Sequence, residues 1–303
     1  MRVLRVSAAL VFGGLSWGAL AQTKAPEPDL AYGAYQRGLY VTALKEATAR
    51  LERNPEDAAA MTLLGELYNQ GLGVTQDPRK AADWYRLAAK RGEPRALSAL
   101  GLMAIHGRGM DKNPIQGKEW LEQAAAKNDA PAAHNLALLL MSTGKDADLL
   151  RAIELLRKAA EAEIPDAQHA LGVLYLQGRG VTRDTAEAAR WFLRAAKNGS
   201  VAGEVEYAIL AFNGEGMPAD EALAAQYFRR AAAKGNAIAQ NRLARLYVAG
   251  RGVPKDRVEA AAWHLAAAAQ GLTDSWLDDA LRDLSADERA RAERLASERS
   301  GPL

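Results

Sequence analysis

Three sets of side chains in this sequence have types and spacings that could do chemistry. Ser142-Thr143-Gly144-Lys145 matches S-x-x-K, in which a lysine activates a serine nucleophile for acyl transfer, but the S-D-N and K-T-G partners of such a site are absent. Gly-x-Gly recurs at Gly71/Gly73, Gly107/Gly109, Gly178/Gly180, Gly214/Gly216 and Gly250/Gly252. Such turns can cradle phosphates. Here no strand precedes them and the third glycine of a dinucleotide fingerprint is missing, so they read as helix stops. His106, His134 and His169 are three of the four histidines. Imidazole ligates zinc and titrates near neutral pH. No cysteine exists in the chain and no carboxylate shares the histidine spacing, so the same residues also read simply as polar surface groups. The sequence assigns no catalytic, cofactor-binding or metal-ligating residue.

The elements that must position these side chains are copies of one stretch, residues 170–199, ALGVLYLQGRGVTRDTAEAARWFLRAAKNG. Ala170, Leu171, Val173, Leu174 and Tyr175 form an apolar helical segment that Gly178-Arg179-Gly180 ends, because glycine enters the left-handed conformation without steric cost. A second helix starts near Asp184 and places Ala188, Ala189, Trp191, Phe192, Ala195 and Ala196 on one face. One such hairpin cannot bury its own apolar faces and must stack on a copy of itself. With Gly172 as origin, equivalent small residues fall at Gly65, Gly101, Ala137, Gly172, Ala208 and Ala244, in steps of 36, 36, 35, 36 and 36. A large aromatic follows nineteen residues on at Trp84, Trp120, Trp191, Tyr227 and Trp263. Its recurrence marks it as core rather than as a platform for sugars or peptides.

The pattern A-x(3)-L-G-x-x-Y-x(2)-G-x-G-V-x(2)-D-x(6)-W-[YF]-x-x-A-A-x-x-G, running from Ala167 to Gly199, resembles the Sel1-like repeat, a relative of the tetratricopeptide repeat. The resemblance implies an all-α fold: a right-handed α-solenoid of helix–turn–helix repeats whose first helices line a concave face, with capping helices at its ends. It implies protein binding in adaptors or regulators more than catalysis. Some secreted relatives are linked to penicillin binding, but this chain lacks their cysteines. The expected organisation is a signal peptide over 1–21, a lead-in and tetratricopeptide-like capping hairpin over 22–57, six repeats over 58–272, and capping helices with a tail over 273–303.

Arg2 and Arg5, the apolar run of residues 6–20 and the small-x-small site Ala19-Leu20-Ala21 read as a secretory signal cleaved after Ala21. A retained membrane anchor is the alternative. Loss of that leader would lower the 39 basic residues to 37, equal to the 37 acidic ones, which argues against nucleic acid or an anionic membrane as the partner. The expected location is the periplasm, and the absence of cysteine leaves the fold to packing alone. The third repeat departs from the others: MSTGKDAD replaces the glycine turn between Leu140 and Leu149, one residue is lost, and Leu155 takes the aromatic place.

By the same resemblance, the concave face takes positions three before and one, four and five after each origin. At the ends these are Thr62, Glu66, Asn69 and Gln70, and Asn241, Arg245, Val248 and Ala249. In the middle repeats the +1 and +4 positions become apolar: Leu102, Ile105, Leu138, Met141, Val173, Leu176, Ile209 and Phe212. His106, His134 and His169 fall on the same face. An apolar strip with polar ends suits a peptide segment of a protein partner, such as a membrane signalling or envelope protein. Tight winding that seals the strip inside the protein is the competing expectation. Full burial of Ile105, Met141, Leu176 and Phe212 would remove the groove. A structural envelope protein without a peptide ligand and a weak hydrolase are the other readings.

Overall fold

The computed structural model describes residues 29–300. The expected signal at 1–21, the lead-in over 22–28 and the tail at 301–303 lie outside the described residues. Every described element is a helix. α1 (Leu30–Gln36) and α2 (Tyr40–Arg53) form an opening hairpin, followed by the pairs α3 (Ala58–Gln70) and α4 (Pro78–Lys90), α5 (Pro94–His106) and α6 (Pro114–Ala126), α7 (Ala130–Met141) and α8 (Asp146–Glu161). Next come α9 (Pro165–Gln177) and α10 (Thr185–Lys197), α11 (Val201–Asn213) and α12 (Glu221–Ala233), α13 (Ala237–Ala249) and α14 (Arg257–Ala268). α15 (Ser275–Ala280) and α16 (Ala286–Ser300) close the chain. From α1 to α14 each helix packs on the next, and α16 packs on α14, so the chain forms an α-solenoid, the right-handed kind that its repeats imply.

Both ends of each hairpin turn follow from a few residues. The first helices of five repeats stop at Gly71, Gly107, Gly178, Gly214 and Gly250, all in the left-handed conformation. The second helices begin at Asp77, Asn113, Asp184, Asp220 and Asp256, whose side chains accept backbone N–H groups of the first turn. Each of these caps also donates its own N–H back to the preceding first helix, as Asp184 does to the Tyr175 carbonyl at 3.0 Å. One acidic or amide residue thus starts a helix and locks the hairpin.

The second glycine of each turn has a different task. At Gly109, Gly216 and Gly252 a Cβ would collide with the backbone carbonyl of Pro78, Thr185 or Glu221, at the start of the preceding second helix. The loop of one repeat therefore rests directly on the repeat before it. In the third repeat Ser142, Thr143 and Gly144 make the turn, and α8 has 16 residues where α10 has 13. Leu149 and Ile153 of α8 stand against Gly180, so the next loop rests on side chains instead of backbone.

In the hairpins whose origin is glycine, that small residue receives a large one twenty positions on. A Cβ on Gly65 would lie 2.6 Å from Tyr85 Cε1, and one on Gly172 would lie 2.5 Å from Phe192 Cε1. Tyr85, Leu121, Phe192 and Phe228 are buried at this place, as is Leu156 in the shortened repeat. This corrects the expectation that the aromatic at +19 is the core ring. Trp84, Trp120 and Trp191 are only half-buried and lean on the edge of the core, while Tyr227 and Trp263 are buried. Adjacent residues on a helix point 100° apart, and the sequence spacing alone does not say which of the two faces inward.

Buried polar groups recur four residues before the origin. Gln168 and Gln240 donate Nε2 to the carbonyls of Ala160 and Ala232, closing the end of the preceding second helix. Glu204 occupies the equivalent site with no exposed surface. It has no hydrogen to give the equivalent Ala196 carbonyl. Its Oε1 instead accepts from Arg230 at 2.7 Å and Lys234 at 3.1 Å, and its Oε2 has no partner. Glu204→Gln restores the glutamine arrangement and is expected to raise stability by about 1 kcal/mol in urea denaturation, because it removes a buried unpaired acceptor. A fall in the midpoint would mean that the two cations matter more than the orphan oxygen.

The ends are capped differently. At the start, Ala43 and Ala47 of α2 pack against Leu63, Leu64 and Leu67 of α3. At the finish, Ser285 and Glu288 form a reciprocal capping box that starts α16, with Ser285 N–H donating to Glu288 Oε2 at 2.8 Å. α16 lies against α14, burying Ala292, and Arg299 pairs with Glu259 at 2.8 Å while covering the Trp263 ring.

Candidate functional site

The first helices of consecutive repeats approach one another: α3 with α5, α5 with α7, α9 with α11, and α13 with α15. Among the described second helices, α14 packs closely on a helix beyond its neighbours in the chain, the cap α16. The stack therefore closes on its first-helix side and opens on the other, and first-helix residues line the inner surface. Thr62, Glu66, Ser98 and Leu102 line one cavity of this surface, and Ile209, Phe212, Arg245 and Ala249 line another.

The strip between these cavities is not sealed. Ile105, Met141, Leu176 and Phe212 are half-buried, as are Leu102, Val173 and Ile209, and Leu138 is 45% exposed. None of the eight apolar positions is buried.

The histidines divide. His106 is exposed at the end of α5, whereas His134 and His169 are half-buried on α7 and α9. Burial lowers the affinity of both buried imidazoles for a proton, and the nearby Asp166 carboxylate opposes that effect only in part. Both are uncharged at neutral pH. The His169 ring packs on Phe192, with centroids 5.5 Å apart. Among the described residues no three His, Cys, Asp or Glu side chains are placed to hold a metal ion. Ser142 of the S-x-x-K match donates its hydroxyl to the Leu139 carbonyl at 2.7 Å, a bond that ends α7 and leaves the oxygen unactivated.

The two cavities have opposite chemistry. The one at the first repeats, about 530 Å³, is lined by Asp29, Glu66, Glu93 and Asp129 against Arg50 and Arg95, with Tyr32, Tyr35 and Tyr85 between them. Burial raises the Tyr35 and Tyr85 hydroxyls above the usual phenol range, and the Glu66 carboxylate raises them further. Tyr85 donates to Glu66 Oε2 at 2.7 Å. The cavity at the last repeats, about 330 Å³, is lined by Arg242, Arg245 and Arg251 around Ile209, Phe212 and Trp276. Of the two linings, Thr62, Glu66, Leu102, Ile209, Phe212, Arg245 and Ala249 are among the concave positions named from the repeat. Arg242 sits two before its origin, Arg251 is the middle residue of a Gly-Arg-Gly turn, and Trp276 belongs to the cap. Their convergence depends on how the cap folds back, which no repeat position encodes.

Arg245 also anchors that cap. Its Nε and Nη2 donate to Asp274 Oδ2 and Oδ1 at 2.7 and 2.8 Å, and Asn241 donates to the same carboxylate at 2.7 Å. Burial pushes the Asp274 carboxyl up, but hydrogen bonds from Arg245, Asn241 and the Leu277 N–H outweigh it and hold the group at about 2. A carboxyl lowered from 3.8 contributes stability that is fully present above that value and is lost as pH falls toward 2. Asp274→Asn is expected to lower the melting temperature at pH 7 and to converge on the unsubstituted protein near pH 2. A gap independent of pH would mean that the carboxylate charge contributes nothing.

No helix among the described residues is long and apolar enough to cross a membrane. A Sel1 repeat model matches residues 58–93, 94–129, 130–163, 165–200, 202–236 and 237–272. The solved structure of a Sel1 repeat protein from Oxalobacter formigenes is 30% identical, covers 79% of this chain and 98% of that one, and superposes with a TM-score of 0.71. A protective antigen present in uropathogenic Escherichia coli strains, displaying an SLR fold, is 25% identical over 89% of this chain and 67% of that one, with a TM-score of 0.51. No curated protein matches the sequence. Six tandem matches over helical pairs that stack with a shared turn and a shared small-on-large core place this chain in the Sel1 repeat family.

Proposed function

We propose that this protein is an exported partner-binding adaptor or regulator that holds a segment of another protein along its concave face, without chemistry of its own. Sel1 repeat proteins commonly mediate protein–protein interaction, and solenoids of this kind are typically non-catalytic binding scaffolds. The observation that carries the reading is the half-buried strip of Ile105, Met141, Leu176 and Phe212. Apolar side chains aligned on one face and open to solvent gain free energy when a partner covers them. The proposed location is the periplasm, after cleavage at Ala21, and the expected partner is a peptide segment of a membrane signalling or envelope protein.

The test is crosslinking in the periplasm with the protein beginning at Gln22, beside a variant carrying Ile105→Ser, Met141→Ser, Leu176→Ser and Phe212→Ser whose helicity is checked by circular dichroism. A partner captured by the first and lost by the second supports the groove. Equal capture by both moves the binding surface elsewhere. Export is read separately, as a mature N-terminus at Gln22.

A further inference from the structure

The pocket at the last repeats differs in kind from the strip that leads into it. Arg245 lies over the Trp276 ring at 5.0 Å and Arg251 over Phe212 at 4.2 Å. Each guanidinium is held by one carboxylate: Arg245 by Asp274 through Nε and Nη2, and Arg251 by Glu221 through the same two atoms. Both contacts leave the Nη1 edge of the arginine free of that carboxylate. Arg242 is exposed and has no ion pair with any described residue. Three cations thus face two anions, which leaves a net positive charge on an aromatic floor. Trp276 is 46% exposed, although a residue serving only to cap the stack would bury its ring. The opposite end of the face carries four carboxylates against two arginines, and so repels a further anion.

We propose that this pocket takes a carboxylate of the bound peptide together with the aromatic or aliphatic side chain beside it, so that the groove holds its ligand in one direction. The proposal rests on the reading of the concave face as a peptide groove. Guanidinium edges recognise carboxylates through paired, charge-assisted hydrogen bonds. Guanidinium faces and indole stack on flat or apolar side chains. Arg242 supplies the charge, Arg245 and Arg251 are oriented beforehand by Asp274 and Glu221, and Trp276 with Phe212 holds the neighbouring side chain. The acidic cavity receives the other end of the peptide, where a basic group is favoured.

The probe is a library of randomised twelve-residue peptides displayed with free C-termini and selected on the whole protein. The strongest peptide is then labelled and its affinity measured by fluorescence anisotropy against Arg242→Glu, Trp276→Ala and the triple variant Ile105→Ser, Met141→Ser, Leu176→Ser. The expected result is enrichment of an acidic residue or C-terminal carboxylate next to Trp, Phe, Leu or Ile, with affinity about tenfold weaker for Arg242→Glu. Neutralising the peptide's carboxylate gives a similar loss on the unsubstituted protein and no further loss on Arg242→Glu. Trp276→Ala weakens the same peptide while leaving its charge dependence intact. Binding that is lost in the triple variant but indifferent to Arg242→Glu and to peptide charge keeps the groove and overturns the pocket. Binding untouched by the triple variant overturns the groove, and with it this proposal. Failure to enrich any peptide overturns both.

Discussion

Gly252→Ala is expected to destabilise the protein by about 3 kcal/mol, and Gly235→Ala by only about 1 to 2. Both glycines have positive φ, +66° and +85°, so both substitutions carry the left-handed penalty of roughly 1–2 kcal/mol that a Cβ imposes. They differ in what surrounds them. At Gly235 nothing lies within 4 Å of an added Cβ. At Gly252 the Cβ meets the Glu221 carbonyl oxygen and carbon and the Ala222 nitrogen, all backbone at the start of α12. Backbone cannot turn aside as a side chain does, so the loop must lift from the preceding repeat. Forced overpacking of this kind adds roughly 1–3 kcal/mol. Urea denaturation of the two variants measures the difference. Equal losses would mean that the glycine serves conformation alone and that the loop does not couple one repeat to the next.

Phe192→Ala is expected to cost about 3–5 kcal/mol, more than Trp191→Ala at about 2, although the indole is the larger ring. Phe192 is fully buried over Gly172, in the middle of the stack. Its removal leaves a cavity that the rigid backbone on either side cannot close. Trp191 is half-buried, its Nε1 has no partner, and Arg194 covers it at 4.8 Å. Truncating it exposes an edge and opens no void. Because a solenoid is held by nearest-neighbour contacts, losing Phe192 also weakens the junction between its two halves. Unfolding of that variant is expected to split into two transitions by circular dichroism. A larger loss for Trp191→Ala would restore the repeated tryptophan as the central core ring.

The strip of half-buried side chains from Leu102 to Phe212 was legible at the resolution of faces. Period and origin place these residues on the first helices, and the structure leaves seven of them half-buried and Leu138 exposed. Their accessibility was not legible, because it depends on how closely successive first helices pack. The histidines show the same limit. Sequence put His106, His134 and His169 on one face, and the fold then separates them, with His106 in solvent and the other two desolvated beside Asp166.

Sequence alone determined the architecture. A period of 35 or 36 residues, left-handed glycines that end first helices and aspartates that begin second helices act within one hairpin, so local chemistry is enough to specify them. Stacking follows, since a single hairpin leaves its apolar faces in water. Tertiary structure alone decided which of two adjacent aromatics is the core ring, that the second turn glycine is a seat for the neighbouring repeat, and that Arg242, Arg251 and Trp276 meet in one pocket. These features join residues from different repeats or from the cap. Their geometry is set by the angle at which each hairpin docks on the last, which no single repeat carries.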